Sequence, residues 1–433
     1  MNQCQHIARR TFLQKASGAA TGAVFFPYVV LPSSLGKTGN VAPSERITIG
    51  FIGMGDQGIN MNLQSFLGQP DAQALAVCDV DANNLNKARD IVNQKYGNKD
   101  CATYKDFREV IDRKDVDAVM ISTPDHWHVP MSIAAAQAGK DVECEKPTLT
   151  IQEGRVLVNT MKRFGRVFQW STEDRSVYEY HRMCELVRNG RIGKVHTINV
   201  ELPIGPDTPG NPKPMPVPEG FDYDIWLGPA PWAPYTKDRC HWNFRWILDY
   251  SGGMLTDWGA HLLDSAQWGN NTEHTGPVEV EGKGEFRRDG LYNTAWQYHI
   301  EYMYANGVRL FVKSGNPSLR FEGTEGWIGN RGWRAPLDAN PKSILDSVIG
   351  PDEIHLYTCP GGEQRNFLDC VKSRQDCYFP PEIGQRCFTI AHIGNISMLL
   401  GRKLKWDPDK EQFINDDLAN RMLSRSMRSP WHL

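Results

Sequence analysis

Residues Arg46 to Asp79, RITIGFIGMGDQGINMNLQSFLGQPDAQALAVCD, decide the fold. Ile47 to Ile52 is a short apolar run rich in β-branched residues, and it leads directly into Gly53-Met54-Gly55-Asp56-Gln57-Gly58. A helix-length segment follows, and a second apolar run, Ala74 to Cys78, ends at Asp79. The order is strand, glycine turn, helix, strand. Gly53 permits the tight turn, Gly55 lets backbone approach a pyrophosphate, and Gly58 allows close packing of helix on strand, while the unpaired N–H groups of the new helix face the anion. With an acidic residue at the end of the next strand, the stretch reads as a dinucleotide site.

Asp79 also bears on which dinucleotide. A carboxylate there can accept both ribose hydroxyls of NAD, but a 2′-phosphate would meet it as a like charge. At about 4 Å such a pair repels by roughly 1 kcal/mol in water and about 4 kcal/mol at an effective dielectric near 20. NAD is therefore favoured over NADP. The plainer alternative is that Asp79 only starts the turn into the helix that ends at Tyr96.

The chain has 433 residues with a 40% apolar fraction, enough for two or three domains and a large core. A net charge of −3, with both signs well mixed, gives no footprint for nucleic acid. After the N-terminal region no apolar run reaches the ~18 residues of a membrane span. Thirteen tryptophans tilt the substrate expectation toward sugars, whose C–H faces stack on indole. Ala8-Arg9-Arg10-Thr11-Phe12-Leu13-Gln14-Lys15, followed by a mildly apolar stretch to Leu31, resembles a twin-arginine export signal. It implies passage through the twin-arginine machinery to the periplasm. Ten cysteines carry no C-x-x-C pair, and folding before export argues against a disulfide framework; Cys78 and Cys144 read as buried core residues.

Alternating strand and helix patterns continue the nucleotide domain: strands near Ala102 to Tyr104, Ala118 to Ser122, Asp141 to Cys144 and Arg166 to Gln169, with helices between, including one from Pro130 to Ala138. Ligands bind beyond the carboxyl ends of such strands, which places Thr123, Pro124, Glu145 and Lys146 at the cofactor. Beyond the helix Val177 to Asn189, alternation in Val195 to Leu202, Val278 to Phe286, Ala295 to Tyr304, Val308 to Lys313 and Leu319 to Glu322 predicts a mainly antiparallel open sheet. The fold class is thus α/β, a doubly wound Rossmann sheet plus an α+β domain. The expected divisions are a leader, 1–42, an NAD-binding domain, 43–170, a substrate and oligomerisation domain, 171–406, and a tail, 407–433, wrapped on the surface or a neighbouring subunit. The proline-rich loop Pro203 to Pro218 and the tail are expected covers over the cofactor.

Thr123-Pro124-Asp125 with His128, Ala138-Gly139-Lys140 leading to Glu145-Lys146-Pro147, and Gly252-Gly253-Met254-Leu255-Thr256-Asp257-Trp258-Gly259-Ala260-His261 ending at Asp264 together resemble the Gfo/Idh/MocA oxidoreductases, exported members especially. Thr148 and Glu173-Asp174 depart from the common pattern of that family. The resemblance implies NAD-dependent oxidation of a secondary hydroxyl on a sugar, sugar derivative or cyclitol, by a homo-oligomer, dimer or tetramer. A second implied reading is an NAD-dependent glycosidase that oxidises, eliminates and reduces. A third, a sugar-binding protein without turnover, is opposed by intact Lys146, Asp257 and His261.

Asp257 and His261 stand four apart and share a helical face, continued by Asp264. An imidazole oriented by a carboxylate can remove a hydroxyl proton as carbon releases hydride, so His261 is the expected base with Asp257 as its partner. Lys146 supplies a fixed positive charge beside the developing alkoxide. Glu145 orients Lys146 or its loop. Arg175, Tyr178, Arg245, Trp258 and Asp264 are candidate substrate contacts, and His126 and His128 lie either beside the substrate or at the cap of the following helix. No metal site is expected, since no further histidine has partner spacing.

Overall fold

The computed structural model describes residues 41–433, so the arginine pair and nearly all of the leader lie outside the described residues. β1 (Ile47–Ile52) has β2 (Ala72–Cys78) on one side and β4 (Ala118–Ile121) on the other, both parallel to it. β3 (Ala102–Tyr104) extends one edge, while β5 (Asp141–Glu145) and β6 (Phe168–Ser171) extend the other, giving the order β3-β2-β1-β4-β5-β6. The order reverses between β1 and β4, and that is where a doubly wound sheet opens a crevice. β1 is buried along nearly its whole length, as an all-parallel sheet covered on both faces requires.

The helix after β4 begins earlier than its proline suggests. It runs Asp125–Gln137 with Pro130 inside it, so His126 and His128 are helical and buried rather than cap residues of a helix at Pro130. Tertiary packing explains the early start: the His126 ring lies 5.1 Å from that of Tyr250 and 5.5 Å from that of Trp226, and His126 Nε2 is 2.9 Å from the Trp226 carbonyl.

The second sheet comprises β7 (Val195–Leu202), β8 (Pro277–Phe286), β9 (Ala295–Tyr304), β10 (Arg309–Ser314), β11 (Ser318–Gly323), β12 (Gly326–Gly329), β13 (Asp338–Asn340), β14 (Leu404–Asp407) and β15 (Gln412–Phe413). Their order is β13-β12-β11-β7-β10-β9-β8-β14-β15, antiparallel except between β7 and β10. Four short strands, β12 to β15, escape the alternation test because two to four residues cannot show a period. β14 crosses the position where the tail was expected to begin.

The helix Pro381–Leu400 has proline in its first turn and is buried on almost every face. It packs on β8 and on the helices Ile151–Phe164 and Gly259–Gly269, which ties the two sheets together. The chain end returns to the nucleotide domain. Trp431 sits edge-on to Trp127 at 4.7 Å, and Arg428 bonds Asp224 at 2.6 Å. No described helix is long and apolar enough to cross a membrane, and the nine described cysteines are buried and free.

Candidate active site

The carboxyl ends of the first sheet open into a cavity of about 520 Å³ whose far wall comes from the second domain. That volume suits an extended organic cofactor and a small substrate. Gly53 holds φ +86°, and a Cβ there would lie 2.7 Å from the Ser122 carbonyl. At Gly58 a Cβ would lie 2.1 Å from the Gly53 oxygen. Gly55 differs: a Cβ there meets nothing within 4 Å and points into open space lining the cavity. Gly53 and Gly58 are thus required by the fold, and Gly55 by what enters.

Asp79 closes the other end of this half. Its Oδ2 accepts from the Met54 N–H at 2.5 Å and its Oδ1 from the Asp81 N–H at 2.7 Å. Burial outweighs these two bonds and pushes its pKa up to about 7. Ribose hydroxyls donate best to the ionised carboxylate, so NAD affinity should rise with pH through about 7 and level off above it. Titrating cofactor-stripped protein with NAD between pH 6 and 8.5 checks this, and Asp79→Asn should remove the dependence.

Thr123 and Pro124 line the cavity. Glu145 accepts from Gln57 and Asn62, each at 3.0 Å, and so ties the glycine-turn helix to the Lys146 strand end rather than reacting. The cover over this half is 220–246, not the expected Pro203 to Pro218 loop, which contributes nothing to the lining. The Asp222 N–H donates to the Val80 carbonyl and the Ala82 N–H to that of Gly220, which brings Phe221 over the strand end, stacked on His241 at 5.6 Å.

At the reacting end, Lys146 Nζ lies 2.7 Å from Asp257 Oδ1, and Arg245 Nε lies 3.3 Å from Oδ2. Burial alone would lower the Lys146 pKa, but the Asp257 and Glu145 charges outweigh it and hold the ammonium charged. Burial pushes Asp257 the other way, and the Lys146 and Arg245 charges prevail, holding its carboxyl well below the usual range. The expected Asp257–His261 pairing is therefore corrected: the carboxylate is engaged by two cations. His261 Nδ1 instead faces Thr172 Oγ1 at 3.0 Å and Asp174 Oδ2 at 3.9 Å. No described residue bonds Nε2, and the ring lines the cavity. Ring nitrogen and ammonium thus meet one space, the arrangement needed to take a hydroxyl proton and stabilise the oxygen left behind.

Three expected substrate contacts lie outside the lining, and a fourth is taken up by backbone carbonyls. Arg175 and Asp264 bond each other at 2.6 and 2.7 Å, and Arg175 also meets Glu273 at 2.8 Å, so both are buried structural ions behind His261. Tyr178 is 70% exposed and outside the lining. His128 touches the cavity, but its two ring nitrogens lie 2.8 and 2.7 Å from the carbonyls of Pro147 and Thr123. Its function is to anchor the Glu145-Lys146-Pro147 turn, and burial, with the Lys146 and Arg245 charges, lowers its pKa to about 4. Arg245 and Trp258 do line the cavity. The sequence reading missed Asp125, which accepts from Ser251 at 2.6 Å across the domains. It also missed Thr172, Trp242, Trp333 and Arg334. Thr172 lies just beyond the carboxyl end of β6, where the strand-end rule could have found it.

Family models match on both sides of the cavity. One, described as the oxidoreductase family's NAD-binding Rossmann fold, matches residues 47–172, and another, its C-terminal alpha/beta domain, matches residues 208–433. The chain belongs to the Gfo/Idh/MocA oxidoreductase family. Curated relatives in this comparison include an alpha-N-acetylgalactosaminidase of Shewanella oneidensis, 32% identical over 207 residues. A glycosyl hydrolase family 109 protein of Saccharopolyspora erythraea is 31% identical over 207 residues. The matches span 44% of each relative and 44% and 43% of this chain, less than half the relatives' length. Among solved structures, aldose-aldose oxidoreductase from Caulobacter crescentus superposes with TM-score 0.62 at 18% identity, covering 83% of this chain and 99% of that one. The WlbA dehydrogenase from Bordetella pertussis, complexed with NADH and UDP-GlcNAcA, gives 0.63 at 14% identity, covering 84% and 99%. These likenesses show the fold. NAD is the cofactor of this Gfo/Idh/MocA domain, and the open space at Gly55 beside the Asp79 carboxylate fits it.

Proposed function

We propose that this protein oxidises a secondary hydroxyl of a sugar, sugar derivative or cyclitol in a redox-neutral cycle with retained NAD. The observation that carries it is the convergence of Lys146 and His261 on the cavity that also receives the glycine turn. His261 Nε2 accepts the hydroxyl proton, its Nδ1 being held by Thr172, and the Lys146 ammonium stabilises the oxygen as its charge develops. Asp257 and Arg245 hold Lys146 in place. NAD, when bound, supplies the hydride acceptor. Trp242, Trp258 and Trp333 line the same cavity and supply apolar surface for the C–H side of a sugar ring.

Retention is supported by the 220–246 cover and by Trp431 packed behind Trp127. Export in folded form through the Arg9-Arg10 signal, as a homo-oligomer delivered to the periplasm, requires it, because no pool of cofactor there replaces what is lost. Hydride taken from one molecule then has to be returned before the next turnover. A second aldose could receive it, or the same sugar after loss of its aglycone. The second route is favoured by relatives named as glycosidases. Extensively dialysed protein, given aldoses in pairs and aryl glycosides singly, is expected to form product without added NAD. Turnover that stops on dialysis and returns in proportion to free NAD would mean an ordinary dissociable dehydrogenase.

A further inference from the structure

The carboxylate that sets His261 is not on its own helix. We propose that Asp174 is the positioning residue for His261, acting with Thr172 to fix the ring's tautomer and to stabilise its protonated form. This rests on the reading of His261 as the proton-moving group. Thr172 and Asp174 follow β6 closely, so the sheet delivers them beside the His261 ring. Thr172 Oγ1 lies 3.0 Å from Nδ1, and Asp174 Oδ2 lies 3.9 Å from the same nitrogen. The threonine contact is a hydrogen bond; the carboxylate is beyond that reach and acts by charge. A carboxylate is an acceptor only, so its presence beside Nδ1 favours the proton there and leaves the Nε2 lone pair toward the cavity.

Asp174 is itself held rigidly. It is 1% exposed, Trp333 Nε1 donates to Oδ2 at 3.3 Å, and Arg334 donates to Oδ1 from Nε at 3.3 Å and from Nη2 at 3.2 Å. Both partners come from the connection between β12 and β13, where Arg334 takes φ 57°, a left-handed conformation that a non-glycine residue adopts only when its surroundings hold it. Arg334 also pairs with Glu173, so the ring faces two carboxylates tempered by one guanidinium. The other charges near His261 are already matched: Asp257 by Lys146 and Arg245, and Asp264 by Arg175. Asp174 and Glu173 on one side and Arg334 on the other are therefore the charges that act on the ring, with opposite signs.

That opposition supplies the test. The His261 ring resonances, assigned by their loss in His261→Ala, are followed against pH in the whole protein. Asp174→Asn should move their midpoint to lower pH, and Arg334→Met, which removes the cation and leaves the carboxylate, should move it to higher pH. In the same variants the acid limb of kcat/KM should shift in the same two directions, and Asp174→Asn should lose about 10- to 100-fold in kcat near neutrality. A midpoint unmoved by Asp174→Asn, or moved the same way by both substitutions, overturns the proposal. If Asp174→Asn does not fold, an unmoved or lowered midpoint in Arg334→Met alone overturns it. The ring titration needs no turnover, so it separates this proposal from the reading beneath it. Full activity in His261→Ala would remove His261 from the chemistry while leaving the titration result standing.

Discussion

Lys146→Met is expected to lower turnover at least ~10²-fold while NAD stays bound. Loss of a single preorganised donor at a developing oxyanion costs about 3 to 4 kcal/mol in the barrier, and the methionine keeps the stem but presents no charge. The fold should survive the change. Breaking a buried ion pair usually destabilises by about 3–5 kcal/mol because one charge is left alone. Here Asp257 keeps Arg245 at 3.3 Å, so the loss should fall below that range. Removing the lysine also lets the Asp257 pKa rise back toward ordinary values. In the wild type that pKa is depressed, so the pair's stabilisation is present above the usual carboxylate range and is lost as pH falls from that range down through the depressed value. Melting temperature against pH should therefore drop less steeply on the acid side in Lys146→Met. Stopped-flow rates, bound-nucleotide content and melting curves measured together separate chemistry from unfolding.

Gly55→Val is expected to abolish cofactor retention without unfolding the domain. The Cβ at this position meets no protein atom within 4 Å, and the backbone is not left-handed, so the apoprotein has room for a side chain. The pyrophosphate does not share that room. A drop of at least ~100-fold in NAD affinity, or about 3 kcal/mol, is expected. Gly58→Val supplies the contrast, since its Cβ would lie 2.1 Å from the Gly53 oxygen. That variant should lose stability as well as cofactor. Nucleotide released by heat from the two proteins, beside their melting temperatures, checks both.

The glycine turn, Asp79, and the ends of β4 and β5 were legible because each depends on a local pattern: strand period, turn glycines, and the rule that ligands meet strand ends. The partners of those residues were not. Asp257 and His261 share a face on an ideal helix, but the helical path is interrupted at Trp258, between Met254–Asp257 and Gly259–Gly269. Lys146, 111 residues away in sequence, then takes the carboxylate. A full ion pair outcompetes a neutral imidazole for it. Arg175 and Asp264 looked like substrate contacts because a charged residue near a site motif has no visible partner in sequence; folded, they are each other's. Trp333 and Arg334 reach the site from a loop of the second sheet and carry no periodic signal. The cover was placed at Pro203 to Pro218 because prolines mark a loop, but aromatic burial by Phe221 and Trp226 brings the following segment onto the cofactor side.

The most direct measurement is hydride tracing. Dialysed protein with its bound cofactor is mixed with aldoses and methyl glycosides carrying deuterium on carbon, quenched within one turnover, and the released nucleotide is weighed by mass spectrometry. Deuterium on the nicotinamide ring is expected from at least one sugar, appearing at least ~10²-fold more slowly in Lys146→Met and His261→Ala. Conversion of the sugar with no deuterium in the released cofactor, or no label from any sugar of the set, would contradict NAD-dependent sugar oxidation at this site.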